Sequence, residues 1–158
     1  MADHALGLEA ASLKKYHITV IRNYKVVPAV NCSKVKVMHI LINLIKNAKE
    51  SMLTRQTHQR MMHLEVSQCG NGQGQISVVD NGSGISASSF AQIFQHGFTT
   101  KHGGHGFGLH YCANAANEMG GTLVCQSEGI DKGATFTLSF GKGRPEEQEQ
   151  QEAKPGDV

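Results

Sequence analysis

Glycine placement constrains this chain more than any other feature. Of its eighteen glycines, ten fall between Gly70 and Gly108. Glycine is used where backbone must take a positive φ or come very close to another group. The cluster lies between well-patterned segments, so a flexible linker is a poor account of it. The middle of the chain reads instead as a set of ligand-facing loops carried on regular elements.

Those elements follow from periodicity. Tyr16–Tyr24 (YHITVIRNY) alternates apolar and polar residues and is rich in β-branched ones, which predicts a strand. Ser33 offers an N-cap, and from Val35 to Leu53 apolar residues recur at helical spacing: Val35, Met38, Leu41, Ile42, Ile45, Ala48 and Met52. Met61–Ser67 and Gln75–Val79 read as strands joined into a hairpin by CGNGQG, with DNGSG ending the second. Ser86–Phe94 reads as a short helix and Gln95–Gly106 as an irregular loop. Phe107–Met119 reads as a helix closed by Gly120 and Gly121. Thr122–Ser127 and Ala134–Phe140 make a closing hairpin across EGIDKG.

Residues 1–14 read as a polar or helical lead-in, the end of a preceding element. Residues 141–158 hold no apolar anchor, which predicts a disordered tail. The body, residues 15–140, is therefore expected to be α+β: a two-layer α/β sandwich with a mixed five-stranded sheet and about three helices on one face. A doubly wound dinucleotide fold would need regular βαβ alternation and a GxGxxG after the first strand. Neither is present.

Composition removes several classes. With 39% apolar and 18% charged residues the chain is neither disordered nor membrane-like. Its most apolar segment, Val35–Ile45, is broken by Lys36, His39 and Asn43, so no membrane contact by this chain is expected. The N-terminus lacks the basic flank and apolar run of a secretory leader. A formal charge of +2 gives no reason to expect nucleic acid. The four cysteines form no CxxC pair, which suits reduced thiols and a cytoplasmic location. His102 and His105 have no carboxylate or thiol beside them in sequence to complete a metal site.

Three segments carry polar residues in places that need explaining. Asn43, Asn47 and Glu50 share one side of an otherwise apolar helix, where the amide oxygen of Asn47 suits a hard cation such as Mg²⁺. Asp80, at a strand end before two glycines, can accept from an exocyclic amine; DNGSG is equally a good turn sequence. The run Lys101-His102-Gly103-Gly104-His105-Gly106-Phe107-Gly108-Leu109 leads into a helix, so its N–H groups and the helix dipole favour an anion, with Lys101 as a point charge.

In order, NLIKNAKES, VVDNGSGI, IFQHGFTTKHGGHGFGL and GATFTL closely resemble the ATP-binding domain of sensor histidine kinases. They look like that family's N box, first glycine box, F box and second glycine box, and terminal threonine motif, over Leu6 to Phe140. The wider group shares one ATP fold, the Bergerat type, with gyrase, a heat-shock chaperone and mismatch-repair ATPases. The resemblance implies ATP and Mg²⁺ as cofactors, with Asn47 on the metal and Asn43 near the phosphates. Asp80 would bind the adenine amine, with Gly82, Gly84 and, through water, Thr135. Phe94 and Phe98 would pack a lid formed by Gln95–Gly106. Thr99, Thr100 and Lys101 would sit near the phosphates, with Asn43, Asn47 and Lys101 acting in catalysis. Gly104, Gly106, Gly108 and Leu109 would wrap the phosphates, and Glu50, Ile85, His105 and Phe107 would complete the nucleotide-binding set.

One departure matters. No histidine here is followed by the family's phosphoacceptor pattern; His4, His17 and His39 all lack it. The resemblance therefore implies a partner, a dimerising and phosphoaccepting helical domain outside this sequence, and a response regulator downstream. The full-length protein would be cytoplasmic, free or anchored in the inner membrane. The other reading is a non-phosphorylating nucleotide-binding regulator of the anti-sigma type, or a degenerate kinase.

Overall fold

The strongest hydrophobic pattern lies in the long helix, and the remaining elements pack around it. The computed structural model describes residues 1–55, 57–70, 72–98 and 108–141. Helix α1 spans Ala2–Lys15, strand β1 Ile18–Tyr24 and helix α2 Lys34–Arg55. Strands β2 (Arg60–Gln68) and β3 (Gly74–Asp80) follow, then the short helix α3 (Ala87–Phe90), helix α4 (Gly108–Glu118), and strands β4 (Thr122–Gln126) and β5 (Ala134–Ser139).

Ser33 Oγ accepts from Lys36 N at 3.4 Å at the start of α2. Val37, Ile40, Leu41, Leu44, Ile45, Ala48 and Met52 are buried, each Leu or Ile contributing about 1.5–3 kcal/mol. This stripe differs from the expected one. Val35 is exposed and Met38 and Ile42 are only half-buried, because α2 meets β3, α1 and α4 on three sides and its dry face is turned toward all of them.

The sheet order is β1-β2-β3-β5-β4, with β1 parallel to β2 and the other pairs antiparallel, so the sheet is mixed as expected. Alternation sends Met62, Leu64, Ile76, Val78, Leu123, Cys125, Phe136 and Leu138 toward the helices. The far face carries polar side chains, such as Ser77 and Thr137, which share a hydrogen bond of 2.9 Å.

The lead-in proves to be a 14-residue helix that belongs to the packed body. Its Ala2, Ala5, Leu6 and Leu13 are buried with α2 and β1. Polar links add registration: Glu9 lies 3.7 Å from both Lys46 and Lys49, and Asp3 accepts from Arg22 at 3.0 Å and from Tyr24 at 3.1 Å. The short helix is tighter than Ser86–Phe94. Ser86 caps it, accepting from Ser89 N at 3.2 Å, and the chain then runs on in turns to Phe98. Helix α4 closes at Gly120, whose φ of 70° suits glycine, with Gly121 N on Ala116 O at 2.9 Å. All four cysteines are free thiols.

Candidate functional site

Asp80 is placed by the parity of its strand. In β3, Ile76 and Val78 face the helices, and period-two alternation puts Asp80 on that same apolar side. Its residue is only 6% exposed. Oδ1 accepts from Gly82 N at 2.8 Å and from Ser51 Oγ on α2 at 3.1 Å. Burial pushes the carboxyl up from 3.8 to about 6, against the opposing pull of hydrogen bonds from Gly82, Ser51 and Ala134. At neutral pH it is a buried anion, and a donor brought by a ligand would stabilise it.

The loop after β3 is held from both sides. Asn81 Oδ1 accepts from Met61 N at 3.0 Å and its Nδ2 donates to Gln59 O at 2.7 Å, while Arg55 Nη1 donates to Asn81 O at 2.7 Å. Ser83 N donates to Ser51 O at 3.0 Å, and Asp131 N to Ser83 O at 2.7 Å. Ile85 N donates to Ser127 Oγ at 3.1 Å, and that hydroxyl donates to Gly133 O at 2.7 Å.

Glycine at 82 and 84 lets this loop pack closely on its neighbours. A Cβ on Gly82 would collide with Ser51 Oγ and lie 2.6 Å from Met52 N. A Cβ on Gly84, whose φ is 66°, would collide with Gly129 O. Gly82→Ala should therefore destabilise the fold by about 1–3 kcal/mol, as overpacking does, read as a lower urea midpoint. An unchanged midpoint would show that the loop yields freely.

The polar side of α2 faces α4. Lys36 Nζ pairs with Glu118 at 2.6 Å, His39 Nδ1 lies 3.4 Å from Tyr111 Oη, and a Cβ on Gly108 would lie 3.0 Å from Asn43 Oδ1. The two helices are thus antiparallel, with the start of α4 over Asn43. Asn43 Nδ2 donates to His39 O at 2.9 Å, which fixes the amide so that its oxygen is the atom toward Gly108. Asn47 and Ser51 follow at successive four-residue steps. These eight residues rise about 12 Å from the start of α4 to the Asp80 carboxylate. Asn43, Asn47 and Glu50 are all half-buried along this side.

The structure separates the other expected residues. Gly82, Gly84 and Ile85 stand with Asp80, and Gly108 stands at Asn43. Leu109 and Phe98 are half-buried against the core. Phe94 packs edge-on to Phe136, ring centroids 6.4 Å apart, so it belongs to the core beneath the sheet; its carbonyl is 3.0 Å from His110 Nδ1. Thr135 is a correction. It pairs with Val79 and Gln126 on the far face of the sheet, while Ala134 is the residue opposite Asp80. Thr99, Thr100, Lys101, Gly104, His105, Gly106 and Phe107, most of the expected lid, and residues 142–158 of the expected tail lie outside the described residues. Ser51, Asn81 and Ser127 had no expected role, although Ser51 is on the side of α2 that Asn43 and Asn47 share.

Comparison with known proteins agrees with this fold. Residues 32–144 match the family described as histidine kinase-, DNA gyrase B-, and HSP90-like ATPase. The chain is 35% identical over 141 residues to sensor histidine kinase ZraS of Escherichia coli K12, covering 87% of this chain and 29% of that protein. It is 34% identical over 106 residues to sensor protein CitS of Halalkalibacterium halodurans, covering 66% of this chain and 19% of that one. The chain thus spans less than a third of the length of either relative. The catalytic domain of histidine kinase ThkA superposes with a TM-score of 0.77 at 22% identity, over 90% of this chain and 92% of that domain. Full-length ShkA in complex with AMPPNP superposes at 0.76 and 22% identity, over 91% of this chain and 30% of ShkA. The chain belongs to the histidine kinase-, DNA gyrase B-, and HSP90-like ATPases, as an ATP-binding domain of the sensor histidine kinase kind.

Proposed function

We propose that this domain holds ATP and transfers its γ-phosphate to a histidine on a separate dimeric helical domain, in the same full-length protein or in trans. The observation that carries the reading is the line along α2 from Gly108 to Asp80. At one end, Asp80 presents a buried carboxylate suited to the amine of adenine. At the other, the first turn of α4 stands over Asn43, and a helix N-terminus favours anionic phosphates. Thr99, Thr100, Lys101, Gly104, His105, Gly106 and Phe107 are proposed for the phosphates on sequence resemblance.

Asn47 lies between the two ends and is proposed as the protein ligand of Mg²⁺. The donor chemistry fits. Its amide oxygen is a hard donor, and among the described residues no group of three or more His, Cys, Asp or Glu could hold a metal unaided. Phosphate oxygens would then supply most of the remaining ligands. When bound, the ion supplies charge neutralisation at those oxygens. The residues of α2 position the nucleotide; the acceptor imidazole forms the new N–P bond as the bond to the bridging oxygen breaks and ADP leaves.

A response regulator is the proposed recipient of the phosphoryl group downstream. No helix among the described residues is long and apolar enough to cross a membrane. We place the domain in the cytoplasm, with the full-length protein free or anchored in the inner membrane. Both relatives above are named as sensor proteins, which favours this reading over a non-phosphorylating regulator.

The carboxylate makes a base-specific prediction. Guanine would present a carbonyl oxygen where adenine presents its amine, leaving acceptor against acceptor. ATP should bind about ten- to hundredfold more tightly than GTP in titration calorimetry with Mg²⁺ present. Equal affinities would contradict the assignment of Asp80 to the base.

A further inference from the structure

Strand β5 turns Thr135, expected to reach the adenine through water, to the far face. The hydroxyl that meets the Asp80 carboxylate comes from α2 instead. Ser51 Oγ donates to Asp80 Oδ1 at 3.1 Å, and Ser51 O accepts from Ser83 N at 3.0 Å. The approach is possible because residue 82 has no Cβ, which would occupy the place of Ser51 Oγ. Gly82 N reaches the same Oδ1 at 2.8 Å. Two donors from two elements therefore hold one oxygen, and the carboxylate cannot turn without breaking both.

We infer that Ser51 is a positioning residue for nucleotide recognition: its hydroxyl fixes the orientation of the Asp80 carboxylate toward the adenine amine. This rests on the reading of Asp80 as the adenine anchor. The hydroxyl also favours the charged carboxylate, because it donates to it while burial opposes it. Among the described residues, the groups facing Asp80 from the packed elements are few. Gly82 and Ala134 contribute backbone N–H groups, and Cys125 of β4 has its thiol pushed up to about 12 and stays neutral. Arg55 of α2 and Asp131 of the β4–β5 turn lie 3.9 Å apart, and Arg55 reaches the carbonyl of Asn81.

The test is ATP titration of the full chain between pH 5 and 8, comparing wild type with Ser51→Ala, Ser51→Cys, Ser83→Ala and Asp80→Asn. Ser51→Ala should weaken binding at pH 7.5 by about three- to tenfold and raise the acid midpoint of binding by about half a unit. Ser51→Cys, a weaker donor of similar size, should fall between it and wild type. Ser83→Ala should leave the midpoint in place, since its hydroxyl lies 3.4 Å from Ser51 Oγ and makes no bond to Asp80. A weaker affinity with an unmoved midpoint would mean that Ser51 only supports the fold, and would overturn the inference. So would unchanged binding in Ser51→Ala when Asp80→Asn binds poorly. Unchanged binding in Asp80→Asn would instead refute the reading of Asp80 itself.

Discussion

Asp80→Asn should weaken ATP binding by about ten- to hundredfold while leaving the protein at least as stable at neutral pH. The loss follows from counting acceptors. Gly82 N and Ser51 Oγ already claim one oxygen of the carboxylate. Asparagine has a single oxygen, so meeting those donors turns its NH₂ toward the adenine amine, donor against donor. Stability should move the other way. The native carboxyl titrates near 6 against 3.8 unperturbed, so the folded state binds the proton more tightly than the unfolded chain does. The contribution of this carboxyl to stability is then greatest below about pH 4 and falls as pH rises toward 6. Above that the burial penalty is complete, on the order of 3 kcal/mol. The neutral amide escapes that penalty. Wild-type affinity should itself fall about tenfold between pH 7 and pH 5, beyond any change shared with the asparagine variant. Calorimetry and urea unfolding at pH 4–7 read both effects. Equal affinities of the two proteins, or a stability slope kept in the variant, would contradict the account.

A second large effect concerns water. The resemblance puts a glutamate, in hydrolysing members of the wider group, at the position of Asn43. Asn43 is an amide whose Nδ2 is committed to His39 O and whose oxygen faces the start of α4. An amide oxygen takes no proton at neutral pH, and a missing general base forfeits about 10²–10⁴ in rate. A neutral imidazole acceptor is already nucleophilic and needs positioning more than deprotonation. The chain alone should therefore release phosphate at least about a hundredfold more slowly than it transfers phosphate to a matching acceptor. Glu50, half-buried on α2 beside Asn47, is the carboxylate whose neutralisation tests this.

Periodicity carried most of the fold. The two-residue alternation of Met61–Ser67 and Gln75–Val79 was enough to place the central hairpin, which the structure extends to Arg60–Gln68 and Gly74–Asp80. Helix α1 read as a lead-in because its buried face is only alanine and leucine at wide spacing, a pattern that gains meaning once α2 lies against it. The candidate site was legible where a single residue stands out by its type and its position in a strand. Asp80 stood out as a carboxylate before two glycines, and its parity with Ile76 and Val78 announces that it points inward. Thr135 misled because the motif GATFTL offers two adjacent positions, and strand parity gives the place opposite Asp80 to Ala134. Ser51 was hidden for a different reason. Its role depends on an approach between α2 and the loop at Gly82, a contact between residues thirty-one positions apart that no local pattern encodes.

Transfer of a radiolabelled γ-phosphate tests the central claim most directly. The chain, Mg²⁺ and labelled ATP are mixed with and without a matching dimeric helical domain bearing the acceptor histidine. The account predicts label on that histidine, none on the nine histidines of this chain, and very slow release of free phosphate when the partner is absent. Rapid release of phosphate by the chain alone, abolished by Glu50→Gln, would make it a hydrolase and contradict the account.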